Sequence, residues 1–147
     1  MPVLTTIGYQ NATPMTLADA LRFADVELLI DVRAVAASRR PGFSNRQLAA
    51  GLSEAGIGYV HLRGLGTPAE GRAAARAGRT DALRRIYLDH LATPAARAEL
   101  NELSEIVRRG RRVCLLCFEH EPERCHRMLV AEAVAAETGA AVNHLRP

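Results

Sequence analysis

Lysine is absent from the 147 residues, so all 19 basic side chains are arginine and the net charge of +3 rests on guanidinium groups. That removes a Schiff-base lysine, a pyridoxal phosphate anchor and a P-loop lysine from consideration. Any anion must be held by arginine, whose planar fork suits carboxylate and phosphate. Tryptophan is also absent and aromatics make up 4%, which leaves few flat rings for the bases of a single strand to stack on. No apolar run approaches the roughly 20 residues that cross a bilayer. Met1 to Thr6 lacks a basic segment followed by an apolar stretch, and a cytoplasmic protein with no membrane partner is expected. The three cysteines are an odd number, which predicts free thiols or metal ligands over a disulfide framework.

With 48% hydrophobic and 24% charged residues, a chain of this length reads as one globular domain. Short aliphatic runs alternate with helical patterns, the signature of a parallel sheet with crossover helices. The expected fold is therefore α/β: a mostly parallel sheet of about five strands with helices on both faces, a Rossmann-like three-layer sandwich. Strands are read at 3–7, 27–31, 58–62, 112–117 and 141–145. The fourth is the most apolar and is expected at the centre. Thr16 with Asp19 reads as the cap of the first helix and Ser44 with Gln47 as the cap of the second, which stops at Gly56. Residues 64–80 read as an exposed, mobile loop with at most one short helix. A helix near 81–91 follows, then one opened by Thr93 and Pro94 that runs to about Arg109, and a last helix ending near Gly139.

Ligands of an open parallel sheet bind beyond the carboxyl ends of its strands, so the residues that follow each strand can be gathered before the strand order is known. The first exit offers Gly8, Tyr9, Gln10 and Asn11, the second Asp31, Arg33, Ser38, Arg39 and Arg40, and the third His61 and Arg63. The fourth is richest, with Cys117, Glu119, His120, Glu121, Cys125, His126 and Arg127. Asp31 and Arg33 share a strand face and read either as an ion pair or as ligand-binding groups. His61 reads as a structural histidine. Arg72, Arg76 and Arg79 read as solvated, although a lid closing over an anion has the same pattern.

A zinc site built from Cys114, Cys117, Cys125 and His126 is disfavoured. If Cys114 lies in the strand, it stands about 10 Å from Cys117 and on the opposite face, which also rules out a disulfide between them. Cys114 is expected to pack as a small hydrophobe. No metal or cofactor is expected. Cys117 and Cys125 lie beside a helix start and an arginine, where a thiolate and a bound anion are both favoured. Cys125 is expected to be the more reactive if that helix begins at Pro122. Glu119, Glu121 or Glu123 are the alternative counter-charges for Arg127.

Five segments together carry a family pattern: Thr6-Ile7-Gly8; Leu29-Ile30-Asp31-Val32-Arg33; Ser38-Arg39 with Phe43; Tyr59-Val60-His61-Leu62; and Leu116-Cys117-Phe118-Glu119 with Cys125-His126-Arg127. The sequence resembles the domain-of-unknown-function 488 (DUF488) family over nearly its whole length. The resemblance implies a compact α/β fold and a shared site at Asp31, Arg33, Ser38, Arg39, Cys117, Glu119, Cys125, His126 and Arg127, without naming a reaction. The chain departs from the pattern at Tyr9-Gln10, where many members carry His-Ser, and at Ala36, where proline is usual. Cys114 lies outside the pattern. A second likeness is to rhodanese-type domains, in the strand at 29–33 and in Cys117 after the fourth strand. The cradle of those domains closes with arginine at a position occupied here by Glu123.

The expected activity is that of a cysteine-dependent hydrolase or transferase acting on a small anionic, phosphate-bearing ligand. In that reading Cys117 or Cys125 is the thiolate, His126 the proton carrier, Glu119 and Asp31 further catalytic residues, and Arg33, Ser38, Arg39 and Arg127 the anion binders. A non-catalytic nucleotide or nucleic-acid module, a sulfur carrier and a structural zinc protein are the alternatives.

Overall fold

The computed structural model describes residues 2–147. Five strands, β1 (Val3–Gly8), β2 (Leu28–Asp31), β3 (Gly58–His61), β4 (Val113–Cys117) and β5 (Ala141–Leu145), form one sheet in the order β3-β2-β4-β1-β5. Every pairing is parallel. β4 is central and wholly buried, as its unbroken apolar run predicts.

Alternation along the strands divides the interior into two layers. Leu28, Ile30 and Val32 with Val113, Leu115 and Cys117 face α4 (Thr80–Leu91), α5 (Pro94–Arg108) and α6 (His126–Thr138). Leu29 with Cys114 and Leu116 faces α1 (Pro14–Phe23) and α2 (Asn45–Glu54). Cys114 and Cys117 therefore belong to opposite layers, as their three-residue spacing in a strand requires.

Local chemistry moves several boundaries. α1 begins after Thr13, not Thr16: the Thr13 hydroxyl accepts from the Thr16 amide at 3.1 Å and the Thr16 hydroxyl accepts from the Thr13 amide at 2.9 Å. A threonine in the fourth place thus does the work of the usual glutamate of a capping box. Ser44 precedes α2, but its hydroxyl accepts from the Ser38 amide at 3.1 Å, while Gln47 accepts from the Gly42 amide at 2.9 Å. The segment 64–80 contains a 3₁₀ turn (Arg63–Leu65) and α3 (Ala69–Arg76), which packs on α4. It is not exposed throughout, because Leu65, Gly66, Thr67, Gly71 and Ala74 are buried. Pro122 opens only a 3₁₀ turn (Pro122–Arg124), and α6 begins at His126 with Cys125 as its cap residue. Among the described residues no helix is long and apolar enough to cross a membrane.

The topology decides where a ligand can enter. After β1 and β2 the chain crosses to the α1 and α2 layer, whereas after β4 it crosses to the α6 layer. β4 lies between β1 and β2, so its carboxyl end parts from both neighbours and a crevice opens there.

Candidate functional site

A cavity of about 250 Å³ occupies that crevice. Its wall takes Tyr9 from the β1 exit, Arg33 from the β2 exit, Cys117, Phe118 and Glu119 from the β4 exit, and Cys125 and His126 from the start of α6. Arg72 and Arg76 of α3 and Arg124 complete the rim.

Gly8 permits the turn beneath it. A Cβ there would stand 1.7 Å from the Glu119 carbonyl oxygen, so any larger residue would drive the β4 exit outward. Tyr9 continues the ladder, its amide donating to the Cys117 carbonyl at 3.1 Å. Its ring stacks on Phe43 with centroids 4.7 Å apart and meets Phe118 edge-on at 5.3 Å.

Asp31 and Arg33 form a buried ion pair. The Asp31 carboxylate accepts from Nε of Arg33 at 2.9 Å and from a terminal nitrogen at 2.7 Å, and from the Tyr59 hydroxyl at 2.6 Å. Burial alone would lower the Arg33 pKa, but the bonds and charge of Asp31 raise it overall. The second terminal nitrogen donates to the Tyr9 hydroxyl at 3.2 Å and to the Phe43 carbonyl at 2.8 Å. Tyr59 is pushed up, first by burial and then by Asp31. His61 contacts the Arg33 carbonyl through Nε2 at 2.7 Å, the structural part expected of it.

The sulfur chemistry centres on His126. Its Nε2 lies 2.6 Å from the Val32 carbonyl oxygen, and a carbonyl can only accept, so Nε2 carries the hydrogen. Nδ1 is thereby turned to the sulfurs, 3.6 Å from Cys117 Sγ and 3.8 Å from Cys125 Sγ. Among the described residues Cys117, Cys125 and His126 are the one group of three His, Cys, Asp or Glu side chains whose donor atoms converge, all within 4.8 Å of one another. Both thiols are free and buried.

The two thiols divide their protons unequally. The neighbouring Cys125 sulfur, and then burial, push Cys117 well up. Burial also opposes ionisation of Cys125, but the Cys117 contact, His126 and the Arg127 charge outweigh it and hold Cys125 well below the ordinary thiol range. Of the two, Cys125 is the one whose surroundings favour ionisation. Burial, and then the Cys125 charge, raise the Glu119 carboxyl. Cys114, alone in the other layer, is pushed up to about 12 by burial.

Of the residues singled out in the sequence, the cavity brings together Arg33, Cys117, Glu119, Cys125 and His126. Asp31 stands behind Arg33. Ser38 is part of a turn, its hydroxyl accepting from the Arg40 amide at 3.1 Å. Arg39 is exposed away from the cavity, and Arg40 folds inward instead, donating to the carbonyls of Tyr9, Gln10 and Ala12. Arg127 is fully buried. It donates to Thr6 Oγ1 at 3.1 Å, to the Glu119 carbonyl and to the His120 carbonyl at 3.1 Å. That network fixes the β4 exit and turns the guanidinium away from the cavity. Arg72, Arg76 and Arg124 are cavity residues that the sequence reading did not assign to a site, and only the lid pattern of arginines in 64–80 hinted at two of them.

No curated protein and no solved structure matches the chain. A family model described as "Domain of unknown function DUF488" matches residues 14–134. With most of its length matched, the chain belongs to the DUF488 family.

Proposed function

We propose that the protein is a cysteine-dependent hydrolase or transferase for a small anionic, phosphate-bearing substrate, with Cys125 as nucleophile and His126 as proton carrier. The observation that carries this reading is the chain Cys125 Sγ, His126 Nδ1, His126 Nε2, Val32 carbonyl at the wall of the cavity. It supplies a nucleophile, a base and a group that orients the base, the three parts an activated thiol requires. The anion's partners in this reading are Arg33, Arg72, Arg76 and Arg124, with Asp31 positioning Arg33.

The steps conserve atoms and charge. Cys125 gives its thiol proton to His126 Nδ1, and the thiolate so formed attacks the electrophilic centre; the bond to sulfur forms as the bond to the leaving oxygen breaks, and that oxygen takes the proton from Nδ1. Water then attacks the thiol-bound intermediate, His126 Nδ1 takes up its proton, and Cys125 departs as thiolate. An alcohol or amine in place of water turns the hydrolysis into a transfer.

The test is intact-mass analysis of the chain quenched after mixing with phosphomonoesters, acyl phosphates and nucleotides. The expected result is a covalent adduct on Cys125 that is absent from Cys125→Ser. Saturable binding of these compounds with neither adduct nor turnover would replace the enzyme by a binding module.

A further inference from the structure

The same three donors satisfy a second kind of chemistry. A tetrahedral zinc ion binds thiolate sulfur at about 2.3 Å and imidazole nitrogen at about 2.05 Å, which places its S···N edges at about 3.6 Å and its S···S edge at about 3.8 Å. The two S···N separations in the structure are 3.6 and 3.8 Å. The two sulfurs, within 4.8 Å of each other, need approach by at most about 1 Å to complete the face.

The ring is held as a metal-binding imidazole is held. A second partner, here the Val32 carbonyl on Nε2, fixes the ring so that Nδ1 is the nitrogen left to coordinate. Two thiolates would cancel the charge of a dication, so the zinc-bound set of Cys117, Cys125 and His126 is neutral in a buried site. Soft sulfur with nitrogen selects zinc over magnesium or calcium, which want oxygen. Cys114 takes no part, because it lies in the opposite layer.

We infer that Cys117, Cys125 and His126 form a three-ligand Zn²⁺ site whose fourth coordination position opens into the cavity. All three ligands line the cavity wall, so water or an anionic ligand completes the tetrahedron, the layout of an open site and not of a closed structural one. Binding displaces two protons to solvent, that of the Cys117 thiol and the one held between Cys125 and His126 Nδ1, as two Zn–S bonds and one Zn–N bond form. The site stands on geometry alone. Its consequence, that zinc silences the nucleophile until it is removed, rests on the reading of Cys125 proposed above.

The test titrates the reduced, metal-stripped full chain with Co²⁺. The expected result is one ion per chain, with a thiolate-to-cobalt charge-transfer band and intense visible bands of a tetrahedral ion, all displaced by one equivalent of Zn²⁺. Cys117→Ser and Cys125→Ser should each lose the charge-transfer intensity and at least about 100-fold in affinity, while Cys114→Ala keeps both. X-ray absorption of the zinc-loaded wild-type chain, which needs no variant, should report two sulfur ligands and at least one nitrogen. No charge-transfer band in the wild type, or a zinc shell of oxygen and nitrogen alone, would overturn the site. Thiols that bind cobalt in this way yet form no substrate adduct when metal-free would overturn the enzyme reading and leave the metal site standing.

Discussion

The Nε2 nitrogen of His126 lies 2.6 Å from the Val32 carbonyl oxygen, and this one contact decides which face of the imidazole meets the two sulfurs. Val32 follows β2 and His126 opens α6, so the contact ties the exit of one strand to the helix that leaves its neighbour. Replacing His126 by alanine removes both the proton acceptor beside Cys125 and one source of its lowered pKa. Iodoacetamide labelling of Cys125 at neutral pH should slow by about tenfold or more, which peptide mass mapping against time measures. Unchanged labelling would detach His126 from the thiol chemistry.

Asp31 accepts from Nε and from a terminal nitrogen of the Arg33 guanidinium in a site where its own side chain is wholly buried. Asp31→Ala leaves the arginine charge buried without its partner, and a loss of about 3–5 kcal/mol in urea unfolding is expected. Replacing both residues with apolar side chains of similar size should be much less damaging than the single change.

Gly8→Ala sets a methyl group against the Glu119 carbonyl. A loss of about 1–3 kcal/mol is expected from the overpacked turn, with a change in the environment of Arg127, which donates to that carbonyl. Urea unfolding measures the first effect, and crystallography of the variant the second.

Arg72 and Arg76 of α3 and Arg124 supply the outer positive charge of the cavity. Replacing Arg72 and Arg76 together by alanine should weaken the protection that inorganic phosphate gives Cys125 against alkylation, and the wild-type protection should fade as salt rises. Arg39→Ala, exposed and outside the cavity, should leave protection unchanged and alter stability by no more than about 0.5 kcal/mol.

Much of the framework was legible in the residues because period-two alternation is read locally. Leu28, Ile30 and Leu29, or Val113 and Cys114, divide between the two layers by spacing alone. The rich exit of β4 was legible for the same reason, since a polar cluster after an apolar strand must lie at the sheet's carboxyl edge. The site's finer assignments depend on contacts that no local pattern encodes. Arg40 rather than Arg39 turns inward because three carbonyls some thirty residues upstream await it. Arg127 reaches back to Thr6 on another strand, and so it holds the turn in place of facing the ligand. Arg72 and Arg76 reach the cavity because α3 packs on α4, a tertiary contact. The distance between Cys114 and Cys117 separates Cys114 from the other thiols, but it carries no information on the three donors that the turn back to α6 brings together.

The most direct measurement is alkylation of the native, reduced and metal-free chain over a range of pH, with the label located by mass spectrometry. Cys125 should be labelled first, and its rate should hold as pH falls from 9 to below the ordinary thiol range, because its lowered pKa keeps it ionised there. Cys117 should gain reactivity only at alkaline pH, and Cys114, buried and pushed up to about 12, should stay unlabelled until the chain unfolds. Dominant labelling of Cys117 at neutral pH would contradict the assignment of the thiolate, and no labelling of either cysteine would contradict the thiol chemistry as a whole.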